Sequence, residues 1–266
     1  MDITIRELTH RYNEQVTALR GVSLEIGSGD CLAIIGENGA GKTTLAKHLN
    51  GLLKPSQGQV IIGGESTAGL TPAKIARHVG YAFQNPDQQL FARMVREEVR
   101  FGPANLGYSD QEVEEYTEAA LQVVGLWDQA ERHPYDLHLA DRKLLTLAAI
   151  LAMQTPIVIF DEPTTGQDAR HIELIGSIIG DLKSQGRTVI SISHDLDFCA
   201  AYFDRIVVLR RGEVIADGPT SQVLLEEELL VSAAVHPPQL VRLALALDWP
   251  HFSRTAEDFV RDRYQE

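Results

Sequence analysis

The sequence predicts an α/β fold built on a mostly parallel sheet that is buried on both faces. Compact runs rich in Ile and Val recur at Cys31 to Ile35, Ile157 to Phe160 and Val189 to Ile192, the composition that a strand covered on two sides requires. Segments of helical period lie between them, as when crossover helices connect parallel strands. With 266 residues, 44% of them hydrophobic, the chain can form one large domain with a small appendage.

The elements follow in order. Ile3 and Ile5, then Val22, Leu24 and Ile26, alternate apolar with polar residues. With Val60 to Ile62 they read as half-exposed antiparallel strands before and beside the parallel core. The helix-compatible stretch Leu45 to Asn50 follows the first core strand and closes at Gly51; Tyr81-Ala82-Phe83 is strand-like. Ser109 and Glu112 make a capping box for a helix that carries Val113, Tyr116, Val123 and Val124 and stops at Gly125. A second helix runs from about Ala140 to Met153, and a third presents Ile172, Ile175, Ile179 and Leu182 on one face before Gly186. Arg205 to Leu209 and Val214 to Ala216 flank a turn and make a late hairpin. Beyond Gly218, Pro219, Pro237-Pro238 and Pro250 punctuate short helical pieces. One of these carries Leu240, Leu243 and Leu247, and Thr255 caps the last.

Charge and cysteine content exclude several classes of function. The balance of 24 Lys+Arg against 37 Asp+Glu gives a net charge of −13, and the densest basic cluster, Arg210-Arg211, is two residues long. No nucleic-acid partner is expected on that surface. Cys31 and Cys199 lack CxxC spacing, which suits a reducing compartment and supplies neither a metal site nor a disulfide framework. The start, Met1 to Arg6, has no apolar signal-peptide core, and the longest nearly unbroken apolar run, Leu144 to Met153, is half of a bilayer span. The expectation is a chain that is neither exported nor itself membrane-spanning.

Chemistry enters directly after Cys31 to Ile35. Gly36-Glu37-Asn38-Gly39-Ala40-Gly41-Lys42-Thr43-Thr44 is GxxxxGK[ST] between a strand and a helix. Its glycines let successive N–H groups curl around a phosphate chain at the positive end of the helix. Lys42 is expected to reach the β and γ phosphates of a nucleotide, and the Thr43 hydroxyl to ligate Mg²⁺. The run Ile157 to Phe160 ends in Asp161-Glu162. A carboxylate at the end of a parallel strand points into the nucleotide crevice, so Asp161 suits Mg²⁺ and Glu162 the attacking water.

Three further residues narrow this reading: Gln84 after Tyr81-Ala82-Phe83, Asp168 after Thr164-Thr165-Gly166-Gln167, and His194 after the strand ending at Ser193. In this order the set resembles the ATP-binding subunit of an ABC transporter over about residues 1 to 220. Gln84 to Phe91 and Glu98 to Gly107 look like the ATPases of energy-coupling-factor transporters, which import vitamins and trace metal ions in prokaryotes. The resemblance implies a domain of residues 1–220, with an antiparallel β subdomain and an inserted α-helical subdomain at about 85–155. It also implies a small helical extension at 221–266. In such a protein Gln84 would touch Mg²⁺ and the attacking water, His194 the γ phosphate, and Asp168 the opposite site across a dimer; Tyr12 would stack on adenine. The implied cofactors are ATP and Mg²⁺. The implied partners are a second ABC ATPase subunit, a transmembrane scaffold and a separate substrate-binding membrane protein, at the cytoplasmic face of a prokaryotic membrane. The surface near Gln84 to Phe101, with Leu90, Phe91 and Met94, is either the patch that meets the membrane partner or internal packing.

One segment departs from the family. Where Leu-Ser-Gly-Gly-Gln is expected, this chain has Leu137-His138-Leu139-Ala140-Asp141, with matching spacing on both sides. The side chains of Leu139 and Ala140 threaten to hold the backbone away from the partner's γ phosphate, and Asp141 adds negative charge. His138 partly compensates if it is protonated or if its N–H points at phosphate, unless it simply pairs with Asp141 three residues on. The chain thus offers one good half-site and one poor one, which favours a heterodimer with a subunit of intact signature. The alternatives are an ATP-binding, poorly hydrolysing partner and a soluble non-transport ABC ATPase.

Overall fold

The computed structural model describes residues 1–249 and 252–265, so that Pro250 lies outside the described residues. The chain opens with β1 (Ile3–Arg11), β2 (Thr17–Ile26) and β3 (Cys31–Ile35), followed by α1 (Lys42–Leu49), β4 (Gln57–Ile62), β5 (Glu65–Ser66), α2 (Pro72–Ile75) and β6 (Val79–Ala82). A helical stretch then contributes α3 (Val95–Leu106), α4 (Asp110–Val123) and α5 (Leu139–Ala152). The chain returns to the sheet through β7 (Ile157–Asp161), α6 (Ala169–Ser184), β8 (Thr188–Ile192), α7 (Leu196–Tyr202), β9 (Arg205–Arg210) and β10 (Glu213–Pro219). It finishes with α8 (Thr220–Val223), α9 (Glu227–Ser232), α10 (Gln239–Ala246) and α11 (Ala256–Gln265).

Two sheets form. The larger has the order β10-β9-β3-β8-β7-β6; its pairings from β9 to β6 are parallel and the β9–β10 hairpin is antiparallel. The smaller, β2-β1-β4-β5, is antiparallel throughout. Side chains alternate across the pleat, and the core strands use both faces. Leu32, Ile34, Ile157, Ile159, Ile190 and Ile192 point into a core shared with α1 and the small sheet. Cys31, Ala33, Ile35, Val158, Phe160 and Val189 point into a core shared with α5, α6 and α7. Each such aliphatic side chain withdrawn from water contributes roughly 1.5–3 kcal/mol, which explains why these strands carry no polar alternation.

The capping box at Ser109 and Glu112 opens α4, and Thr255 Oγ1 accepts from the Asp258 N–H to cap α11. Helix α3 has no counterpart in the periodicity, because Gly102 and Pro103 sit in its second half. Pro103 lacks the N–H that would bond back to the previous turn, and the helix survives by packing against α4 and α5. The leucine stripe of α10 is also used differently from a core stripe: Val241 and Ala244 are buried, whereas Leu243 and Leu247 are 46% and 47% exposed. Val223, Leu224, Leu230, Ala233, Val235 and Val241 join the core beneath the helical face. Ala244, Trp249 and Phe259 form a small cluster of their own.

Candidate active site

The C-terminal ends of β3, β7 and β8 lie side by side, and each delivers one part of the site. After β3 the chain turns through Gly36 and Gly41, with φ of 146° and 105°. A side chain at Gly36 would run into the Leu209 carbonyl and one at Gly41 into that of Ala18, so both positions demand glycine sterically. Lys42, at the first turn of α1, folds back and donates to the carbonyls of Gly36 (2.8 Å) and Glu37 (3.0 Å). Its ammonium is buried, and desolvation lowers its pKa against the raising influence of Glu162, Asp161 and Glu37. The loop is thereby closed around a charge whose partners are neutral carbonyls, a poor match that an anion would improve.

Asp161 ends β7 and is buried. Its Oδ1 accepts from Thr43 Oγ1 at 3.4 Å and its Oδ2 from the Tyr81 hydroxyl at 2.7 Å. Burial raises its pKa and these two donors oppose the rise. Glu162 follows with a left-handed φ of 54°. Its N–H donates to Ile192 O (2.8 Å), and its carbonyl accepts from the buried Lys143 ammonium (2.7 Å). The carboxylate Oε2 takes a 2.6 Å bond from His194 Nδ1. That ring is 61% exposed, leaving its other nitrogen free to face the cleft.

Two clefts meet over this floor. One, of ≈ 450 Å³, is lined by Tyr12, Val16, Asn38, Gly39, Lys42, Thr43, Thr44, Gln84 and Glu162. Tyr12 is exposed and shares a 3.1 Å hydroxyl bond with Thr44 Oγ1. The other, of ≈ 620 Å³, is bounded by Glu37, Asn38, Gln84, Glu162 and His194, and by residues 234–239 and Arg242 of the C-terminal segment. Ala40 is buried beneath the loop, where its carbonyl accepts from Gly212 N–H. Of the residues singled out in the sequence, the structure thus brings together Tyr12, Asn38, Gly39, Ala40, Gly41, Lys42, Thr43, Thr44, Gln84, Asp161, Glu162 and His194.

Asp168 and the segment His138 to Asp141 stand apart. Asp168 caps α6 by accepting from His171 N–H at 2.9 Å and is otherwise exposed. His138 is the N-cap of α5 without a side-chain capping bond, and Leu139 is 57% exposed. Among the described residues no hydrogen bond or ion pair joins His138 to Asp141, nor any of these four side chains to Lys42, Asp161 or Glu162. Two residues to which the sequence assigned no role link the regions. Lys143 Nζ reaches Thr165 O (2.8 Å) as well as Glu162 O, and Gln167 Nε2 reaches Ala140 O (3.2 Å). Tyr81 was also missed, although its place on the strand beside β7 was a usable signal. The surface of residues 84–101 divides: Leu90 is packed inside, while Phe91 is 61% exposed against Phe101.

A phosphate-cradling loop set beside strand-end carboxylates at the carboxyl edge of a parallel sheet defines a P-loop nucleoside triphosphatase. The chain belongs more narrowly to the ABC transporter ATP-binding family, whose profile, described as ABC transporter, matches residues 19–165, and it carries the family's ATP-hydrolysing domain. The energy-coupling factor transporter ATP-binding protein EcfA of Methanothermobacter thermautotrophicus is 40% identical over 99% of this chain and 86% of that protein. A relative from Methanosarcina acetivorans is 41% identical over 92% of this chain, which spans 40% of that protein's length. Among solved structures, cbiO1 from Clostridium perfringens, part of the ABC transporter complex cbiONQ, superposes with a TM-score of 0.76 at 29% identity, covering 92% of this chain and 98% of that one. An ATP-binding cassette dimer in a post-hydrolysis state with ADP and Pi has a TM-score of 0.75 at 25% identity, covering 82% and 98%. No helix among the described residues is long and apolar enough to cross a membrane.

Proposed function

We propose that this chain is one half of an ATPase pair that drives uptake of a micronutrient, a vitamin or a transition-metal ion, through a membrane-embedded energy-coupling-factor transporter. The near full-length match to an energy-coupling factor ATP-binding protein carries the reading, and the buried Glu162 paired with His194 supports turnover. The chain would act at the cytoplasmic face of a prokaryotic membrane. Residues 1–220 would form the ATP-binding domain, with its helical subdomain at about 85–155, and residues 221–266 the extension.

Each side chain has a role in this reading. Tyr12 offers an exposed ring to adenine. The loop amides from Asn38 to Thr44 cradle the phosphates, and Lys42 exchanges two carbonyls for the β and γ phosphate oxygens. Thr43 Oγ1 and Asp161 Oδ1, oxygen donors 3.4 Å apart, suit Mg²⁺, a cation that takes oxygen ligands, with Gln84 at the cleft edge. Bound there, Mg²⁺ would neutralise charge on the β and γ phosphates. Glu162 orients a water and receives its proton as the water oxygen bonds to the γ phosphorus and the bond to the ADP oxygen breaks. His194, bonded through Nδ1 to Glu162, would turn its other ring nitrogen to the γ phosphate. Asp168, exposed on the loop after Glu162, would meet the opposite subunit. The apolar groove of Leu52, Pro72, Phe91, Phe101 and Met153 would receive a helix of the transmembrane scaffold.

A second reading is supported by the exposed Leu139 and by a His138 side chain that makes no capping bond: an ATP-binding, poorly hydrolysing partner of a second ATPase subunit that carries the turnover. Both are tested by Mg²⁺-ATP hydrolysis of the purified chain, with Glu162→Gln as blank, before and after adding a related subunit with an intact Leu-Ser-Gly-Gly-Gln. The expected result is activity near the blank alone, rising with the partner and lost again with Glu162→Gln. A rise that persists in Glu162→Gln would assign turnover to the partner alone.

A further inference from the structure

The parallel pairing of β6 with β7 sets Tyr81 opposite Ile159 and Ala82 opposite Phe160. Ile159 and Asp161 share a face of β7, since side chains alternate along a strand. Tyr81 packs on that same face, in the core that holds Ile157 and Ile159, so its ring lies two residues short of the carboxylate. A phenol spans that gap and a phenylalanine does not. The Tyr81 hydroxyl donates to Asp161 Oδ2 at 2.7 Å, and both residues are buried. Asp161 Oδ1 is thereby left toward Thr43 Oγ1 at 3.4 Å.

A carboxylate at the end of a strand can rotate about its last bond and offer either oxygen, or neither, to a ligand. Here one oxygen is occupied by a donor rooted in the core, and the rotation is fixed. Resting on the assignment of Thr43 and Asp161 to a divalent cation made above, we infer that Tyr81 is the positioning residue of the cation site, holding Asp161 so that Oδ1 faces the metal. Tyr81 touches neither nucleotide nor cation. Its effect passes through Asp161, as when an outer-shell partner orients a ligand to a metal.

Tyr81→Phe tests this, because it removes one oxygen and keeps the ring that the core needs. The probe is Mn²⁺, counted as free ion by electron paramagnetic resonance, with protein in a Glu162→Gln background so that ATP stays intact. The expected result is a dissociation constant for Mn²⁺ on the ATP-loaded protein raised about tenfold, the lower end for loss of an outer-shell partner. ATP affinity in excess EDTA should stay as in the parent, while the melting temperature falls only by what the loss of one hydrogen bond to a buried carboxylate costs. In an Asp161→Asn background, adding Tyr81→Phe should change Mn²⁺ binding no further. Unchanged Mn²⁺ affinity in Tyr81→Phe, with a loss in Asp161→Asn, would overturn the role of Tyr81 alone. No loss in Asp161→Asn would remove the cation site itself. A Tyr81→Phe protein that binds ATP more weakly in EDTA to the same degree as Mn²⁺ would show the tyrosine to be merely structural.

Discussion

Glu162 adopts a backbone conformation that a side chain ordinarily avoids at a cost of about 1–2 kcal/mol, and three bonds hold it there. Ile192 O takes its N–H, Lys143 its carbonyl and His194 its carboxylate. Strain of this kind persists where surroundings over-determine it, and here it turns the carboxylate out of the sheet and into the cleft. A second cluster lies behind Tyr12. His48 is fully buried and its Nδ1–H donates to Thr44 O at 2.8 Å; its Nε2 accepts from His10 Nδ1–H at 3.2 Å, which also bonds Lys54 O. With Nε2 accepting, the His48 ring is neutral, and burial is the main reason that its pKa is lowered from 6.5. The folded state resists a proton that the unfolded chain accepts. Stability contributed by neutral His48 is thus full above pH 6.5 and is lost as pH falls toward its lower folded value. Melting temperatures between pH 7.5 and 5.5 should fall more steeply for the wild type than for His48→Gln; parallel slopes would contradict the argument. Lys42, Thr43 and Asp161 were legible in the sequence because loop and strand end are contiguous motifs. The His10–His48 and Tyr81–Asp161 bonds were not, since they join residues 38 and 80 apart that read locally as core.

At the scale of elements, α5 joins the segment His138 to Asp141 to the strand end that carries Glu162. Its first turn carries His138 to Asp141, and Lys143 on the next turn holds the backbone on both sides of Pro163-Thr164. Gln167 returns a bond to Ala140 O, so the segment that would face the partner's nucleotide cannot shift without pulling on Glu162. Lys143 is buried and desolvation lowers its pKa, with Glu162 and Asp161 opposing the shift. Lys143→Met would strip two carbonyls of their donor, at about 1–3 kcal/mol for a buried group left unsatisfied. Urea unfolding should show that loss, and hydrolysis by the complex should fall further than ATP binding does; equal losses in both would make Lys143 a stability residue only. Core strands and the helices α4, α5 and α6 could be read from runs, caps and period. Helix α3 could not, because Gly102 and Pro103 mask a segment whose stability comes from its neighbours. Likewise, Phe91 and Leu90 are adjacent and chemically alike, and only the backbone path decides that one faces solvent.

For the whole molecule, the proposed pairing would give the chain one complete set of catalytic side chains and one altered surface for a partner's nucleotide. The exposed ends of α5 and α6, bearing His138 to Asp141 and Asp168, are free of the chain's own site. Their place is fixed by the fold, so the defect proposed for this segment would be chemical rather than architectural. Helix α5 still has N–H groups without intrahelical partners at its N-terminus, but its first residue, Leu139, carries an exposed bulky side chain and Asp141 puts a negative charge in the same turn. Replacing His138, Leu139, Ala140 and Asp141 with Ser, Gly, Gly and Gln should therefore expose those groups without disturbing α5, whose hold on Glu162 runs through Lys143. Loss of a single transition-state donor commonly costs about 3 kcal/mol, or a hundredfold in rate. The repaired chain, assayed alone, should thus hydrolyse ATP on the order of a hundredfold faster than the parent, with the gain abolished by Glu162→Gln. If the parent chain is already as active alone, the native His138 to Asp141 segment is a working signature and self-pairing suffices. If repair brings no gain while added partner does, the missing contribution lies elsewhere on the partner, and the segment around His138 is not what limits the pair.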